Sequence, residues 1–159
     1  MSQANSGQTR RAVLAVFAAG AVLGARRLAA EPAPLVEVWK DPNCGCCGGW
    51  VEHLKRSGFR VAVTDTADVA AVKTTLGVPG ELASCHTAKI DTYVIEGHVP
   101  AAAIRRLLAA RPTALGLAVP GMPIGSPGME GGTPQPYDVV LFGASAPTVF
   151  ARFIGAEPR

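Results

Sequence analysis

Cys44, Cys46 and Cys47 stand within four residues of one another in Asp41-Pro42-Asn43-Cys44-Gly45-Cys46-Cys47-Gly48-Gly49-Trp50, and the remaining cysteine, Cys85, is followed directly by His86. A cysteine serving as a small hydrophobe occurs singly, and no core asks for three thiols among glycines, so the cluster points to metal ligation or thiol chemistry. Thiolate is a soft ligand that takes Cu(I), Zn or iron-sulfur clusters, whereas thioether sulfur suits Cu(I) and has little use for zinc. Met122 and Met129 therefore discriminate between metals; each otherwise reads as a plug for a hydrophobic gap. His86 is placed to ligate a metal or to tune the neighbouring thiol, against the plainer reading of a loop histidine bonded to backbone. His53, two helical turns from Cys46, reads as a solvated helix-face residue, and His98 as a turn residue. The acids are scattered, with no carboxylate pair at a catalytic spacing and no glycine-rich phosphate fingerprint.

These side chains need elements to hold them. Leu35 to Lys40 is a strand candidate that ends at the turn signal Asp41-Pro42-Asn43. A helix follows, with Cys47, Val51 and Leu54 at helical spacing, Cys46, Trp50 and His53 on the adjoining face, and Gly58 as its stop. Trp50, one turn beyond Cys46, reads as a shield. Phe59 to Thr64 alternates as a second strand and Ala67 to Leu76 forms a second helix, ended by Gly77-Val78-Pro79-Gly80. Ser84-Cys85-His86-Thr87 leads to a strand over Asp91 to Glu96, closed by Gly97. Pro100 then opens a helix over Ala101 to Ala110, with Ile104, Leu107 and Leu108 on one side. Ten of the 17 residues from Pro120 to Pro136 are Gly or Pro, which predicts an irregular loop carrying both Met122 and Met129. Strands over Tyr137 to Phe142 and Thr148 to Phe153 close a mixed α/β layer fold.

At 159 residues the chain makes one ordinary domain. Arg10 and Arg11, the uncharged run of 14 residues from Ala12 to Ala25, and then Arg26 and Arg27 read as an export signal over residues 1–30. The run is shorter than the roughly 20 residues a spanning helix needs, so a permanent anchor is the lesser reading and no stable membrane insertion is expected after cleavage. Thr9-Arg10-Arg11-Ala12-Val13-Leu14 resembles a twin-arginine signal. A linker at 31–34, the domain at 35–154 and a tail at 155–159 complete the organisation. The formal charge of +3 includes four leader arginines and none of its acids, which leaves 11 Lys and Arg against 12 acids, about −1. With no basic run or aromatic-interleaved patch, nucleic acid is excluded as a partner. Export means an oxidising compartment, where thiols go to disulfides unless a metal or redox partner holds them. Two plain structural disulfides are hard to draw, because bridging the neighbours Cys46 and Cys47 strains the ring and Cys85 can serve only one of the three.

Cys44 and Cys47 form a Cys-x-x-Cys pair at a helix N-terminus, where free N–H groups and the dipole favour thiolate. The position resembles the active site of thioredoxin-like proteins, with Cys85-His86-Thr87 in place of the loop that faces the thiols there and without that loop's proline. On this alignment all four sulfurs and one imidazole converge. The cysteine motif, Ser84-Cys85-His86-Thr87, Tyr93-Val94-Ile95-Glu96-Gly97-His98-Val99-Pro100, and Gly116-Leu117-Ala118-Val119-Pro120-Gly121-Met122-Pro123 through Gly128-Met129-Glu130 together resemble the CopG-type family of small exported bacterial proteins. Four separated motifs occur in the family's order, from about Leu35 to about Phe153.

The resemblance implies a thioredoxin-like mixed sheet with flanking helices and a Gly/Pro/Met-rich loop insertion near the C-terminus. It also implies a periplasmic location and copper binding in copper resistance, with the family's cysteine positions carried onto Cys44, Cys46, Cys47 and Cys85. The leading expectation is a periplasmic Cu(I)-binding protein in which these four supply thiolates, His86, Met122 and Met129 add or gate ligands, and bridging thiolates hold more than one copper, with copper redox activity as an extension. Copper ions and other periplasmic copper-handling proteins would be its partners. The second expectation is a thiol-disulfide oxidoreductase in which Cys44 attacks and Cys47 resolves. The third is a structural zinc site of three cysteines and His86, which leaves one sulfur over.

Overall fold

The computed structural model describes residues 33–143 and 145–159, and the expected export signal lies outside them. β1 (Leu35–Lys40) buries Val36 and Val38 through simple alternation. Asp41 then makes the turn: its carboxylate accepts from Asn43 N–H at 2.7 Å and its carbonyl from Cys44 N–H at 3.1 Å. α1 (Gly45–Arg56) starts at once with Cys44 as its N-cap. Its buried face is Cys47, Trp50, Val51 and Leu54, the spacing of an apolar helix stripe. Its last turn carries His53, Lys55 and Arg56, which complement the helix dipole, and Gly58 at φ +84° turns the chain away.

β2 (Arg60–Asp65) returns parallel to β1, and α2 (Val69–Thr75) is capped by the Asp68 carboxylate, which accepts from Ala71 N–H at 2.9 Å. After a single 3-10 turn at Gly80–Leu82 come β3 (His86–Ile90), β4 (Tyr93–Glu96) and α3 (Ala101–Ala110). β5 (Gly116–Ala118), β6 (Pro136–Phe142), β7 (Thr148–Ile154) and β8 (Glu157–Pro158) complete the chain. Residues 119–135 contain only turns and bends. The strands form one mixed sheet in the order β2-β1-β3-β4-β5-β6-β7-β8, parallel at β1/β2 and β4/β5 and antiparallel elsewhere.

The mixed α/β class expected from the sequence is the one observed, with two strands more in its middle: β3 and β5 fall where the sequence predicts only connections. The larger core joins α1 and α3 to one side of the sheet, through Val36, Val38, Trp50, Leu54, Ile90, Ile95, Ile104, Leu107 and Leu117. The smaller one gathers Leu82, Val94, Ala118 and Phe142 with Leu76 and Val78, on the side the alternate strand residues face. Among the described residues no helix is long and apolar enough to cross a membrane.

Candidate metal centre

Two local structures build the site. The turn after β1 delivers Cys44 as N-cap and Cys46 and Cys47 into the first turn of α1. The β3–β4 hairpin delivers the rest: its register pairs Thr87 with Glu96 and Ala88 with Ile95, and continuing it by two steps sets Cys85 against His98. The four sulfurs all lie within 4.8 Å of one another. Cys44 and Cys47 are joined in a disulfide, while Cys46 and Cys85 are free thiols 3.9 Å apart. Cys44 Sγ lies 3.4 Å from Cys46 Sγ.

Two imidazoles close the other side. His98 Nε2 is 3.0 Å from Cys85 Sγ, and His86 Nδ1 is 3.5 Å from it. His98 Nδ1 lies 2.8 Å from the Pro127 carbonyl, which can only accept, so that nitrogen carries the proton and Nε2 presents its lone pair to the thiol. His86 is wholly buried, its ring 4.4 Å from that of Trp50 and 5.0 Å from that of His98, and its Nε2 has no hydrogen-bond partner. A buried imidazole nitrogen left without a partner is uncommon, and it is the other nitrogen, Nδ1, that lies against the Cys85 sulfur. Cys85 Sγ and one ring nitrogen each of His86 and His98 also fall within 4.8 Å of one another.

The electrostatics favour neutral donors. Burial lowers the pKa of His86 well below the ordinary imidazole value, helped by His98 and Lys73, and burial lowers that of His98. Burial and then the neighbouring Cys46 push the Cys85 thiol up to about 11. The imidazoles are thus ready to ligate without losing a proton, while Cys85 ligates only as its proton leaves.

The glycine-rich loop lies against this corner. Gly128 at φ +88° comes so close to the first turn of α1 that a Cβ would stand 2.6 Å from Trp50 N and closer still to the Cys46 carbonyl. Met129 is half-buried, whereas Met122 is 53% exposed. Trp50 is fully buried behind the site, its indole N–H held by the Val99 carbonyl at 2.9 Å. His53, read from the sequence as solvated, is half-buried and accepts from Ala101 N–H at 3.1 Å. Sequence reasoning ranked His98 low because it followed a strand whose partner went unrecognised. The hairpin register would have placed it opposite Cys85.

Fold and site together define a mixed α/β protein whose cysteine-histidine cluster could bind a soft metal ion. Residues 82–129, which hold Cys85, both imidazoles and both loop methionines, match the family model described as "Protein of unknown function, DUF411". Two solved structures of the copper resistance protein CopG, forms 2 and 1, are each 47% identical to the chain with a TM-score of 0.72; they cover 76% and 77% of it, and 98% of their own chains. None of the curated proteins matches. The chain belongs to the DUF411 family of the copper resistance protein CopG.

Proposed function

We propose that the protein is a periplasmic Cu(I)-binding protein that contributes to copper resistance. Copper is its cargo, and Cys44, Cys46, Cys47 and Cys85 are thiolate ligands. His86 is a ligand through Nδ1, which lies 3.5 Å from Cys85 Sγ, His98 joins it through the Nε2 lone pair that faces the same sulfur, and Met122 and Met129 are gating or additional ligands from the loop. The observation that carries the reading is the meeting of four sulfurs from distant parts of the chain within 4.8 Å, with Nδ1 of the buried His86 3.5 Å from one of them. Such a thiolate-rich set favours Cu(I) over harder ions and is suited to bridging more than one copper. It also supports exchange of electrons with bound copper. Location in the periplasm is supported by the leader-like composition of residues 1–30. A thioredoxin-like description of the first four strands is supported by their order β2-β1-β3-β4, with β1 and β2 parallel and the cysteine pair at the start of α1.

Full loading requires reduced sulfur. An external dithiol that passes two electrons to the Cys44–Cys47 disulfide, with uptake of two protons, returns both thiols to the cluster. Anaerobic titration of the reduced protein with Cu(I) against a chromophoric chelator is expected to consume all four thiols and to bind more than one copper per chain, and Cys85→Ser is expected to weaken it. Stoichiometric binding unaffected by that change would refute a convergent site. Zinc in competition is expected to be displaced with growth of a Cu(I)-thiolate band.

The disulfide itself favours a second reading, a thiol-disulfide oxidoreductase with Cys44 attacking and Cys47 resolving. Insulin reduction by the metal-free protein, abolished by copper, would support that reading.

A further inference from the structure

Behind the cluster, on the α2 side of the sheet, lies an ion pair that the metal-binding reading does not use. Glu96 is 0% exposed and Lys73, from α2, is 13% exposed; Nζ and Oε1 are 2.6 Å apart. A buried pair of this kind costs desolvation that hydrogen bonding must offset, and here both carboxylate oxygens are hydrogen-bonded. Glu96 Oε1 accepts from Ser84 N–H at 2.6 Å, and Oε2 accepts from the Thr87 hydroxyl at 2.6 Å. The same hydroxyl accepts from Lys73 at 2.7 Å, so its donor and one acceptor position are both used.

Ser84 and Thr87 are the two ends of Ser84-Cys85-His86-Thr87. One carboxylate therefore holds the segment at both ends, with the thiol and the imidazole between them. Adjacent strand residues face opposite ways. Thr87 accordingly anchors on the far side while His86 turns to Trp50 and the cluster. The segment has other ties: Gly97 N–H donates to the His86 carbonyl at 3.0 Å, and the Ser84 hydroxyl to the Gly121 carbonyl at 2.6 Å. Among the described residues only Glu96 bonds both of its ends.

We propose that Glu96, neutralised by Lys73, is a positioning residue of the metal centre: its carboxylate fixes Ser84 and Thr87 and so presets Cys85 and His86 for the ion. The proposal rests on the Cu(I) reading of the site. Partners of this kind, bonded behind the ligands, typically change metal affinity by about 10- to 100-fold when removed.

The test is competitive Cu(I) titration of the reduced full chain and of Glu96→Gln, with X-ray absorption at the copper edge. Glu96→Gln is expected to bind about 10- to 100-fold more weakly, with the copper-nitrogen component reduced and copper-sulfur bonding from the α1 cysteines retained. Adding Lys73→Met removes the stranded charge and is expected to recover most of the affinity, because the glutamine amide can accept from Ser84 and donate to Thr87. In a background that lacks both preset ligands, Cys85→Ser with His86→Phe, Glu96→Gln is expected to add no further loss. A folded Glu96→Gln that binds within about twofold of the parent, or that loses as much affinity without Cys85 and His86 as with them, overturns the proposal. Thr87→Val carries the same test should Glu96→Gln fail to fold. If the parent protein binds no Cu(I), the metal reading fails, and the clamp is still tested by amide exchange at residues 84–87 of the metal-free protein. Exchange faster in Glu96→Gln there but not in β1 supports the clamp, and unchanged exchange overturns it.

Discussion

Replacing Gly128 by alanine probes whether the glycine-rich loop is truly seated on the cysteine helix. The backbone there has φ +88°, and the added methyl would meet Trp50 N at 2.6 Å and the Cys46 carbonyl closer still, both backbone atoms that cannot rotate aside. Left-handed backbone costs a residue bearing Cβ about 1–2 kcal/mol, and forcing a methyl into a filled space about 1–3, so the change should cost about 2–5 kcal/mol. That is a large share of a domain stability of about 5–15 kcal/mol. At roughly 3–5 °C per kcal/mol for a chain of this size, the melting midpoint of the metal-free protein should fall by at least about 6 °C. Gly131→Ala is the control, since φ is +126° but nothing lies within 4 Å of its Cβ, so only the backbone strain applies. Thermal melts followed by circular dichroism, with amide exchange at residues 126–130, make the measurement. A Gly128→Ala midpoint within about 1–2 °C of the parent, with unchanged exchange, would refute the close approach of loop and helix and, with it, the Pro127 bond that orients His98.

Gly48, inside α1 with φ in the ordinary range and open space around its Cβ, should behave oppositely: Gly48→Ala is expected to stabilise the metal-free protein by about 0.5–1 kcal/mol in urea unfolding. His86 is buried neutral with its pKa depressed, so on acidification the unfolded chain takes up a proton that the folded one refuses. Stability should therefore fall as pH drops below about 6.5, by as much as about 1.4 kcal/mol per pH unit for this group, and equilibrium unfolding at pH 7 and 5 of the parent and His86→Phe should show that slope diminished in the variant. Cys85, with its thiol pushed from 9.0 up to about 11, should be almost wholly protonated at pH 8 in the protein that keeps the Cys44–Cys47 disulfide. Its alkylation by iodoacetamide should be about 100-fold slower than that of a thiol at 9.0 and should rise about tenfold per pH unit up to pH 10; a rate flat above pH 9 would contradict the shift.

The frame of the cysteine helix was readable because its signals are local. Leu35 to Lys40 alternates, Asp41-Pro42-Asn43 turns, and Cys47, Val51 and Leu54 recur at helical spacing; each feature appears in β1, its turn and α1. The convergence of Cys85 on the motif could be stated from family resemblance but not from spacing, since 39 residues separate it from Cys46. β3 escaped notice because His86-Thr87-Ala88-Lys89-Ile90 has neither alternation nor a β-branched run. It sits between β1 and β4, and its Thr87 is polar yet buried because Glu96 and Lys73 satisfy it. β5 is three residues long and begins with Gly116, whose missing side chain lets it lie against the Val94 carbonyl, a tertiary reason no local pattern shows. His98 was lost with β3, for only the hairpin register brings it across from Cys85.

Trp50 leaves the chain with a built-in optical gauge. Of the two tryptophans, Trp39 lies at the groove beneath α2, while Trp50 is sealed in the core with its ring against His86. Its fluorescence should be blue-shifted by the dry surroundings and should dim when an ion draws on that imidazole. Occupancy of the centre can then be followed by light emission from the native chain, without any attached dye.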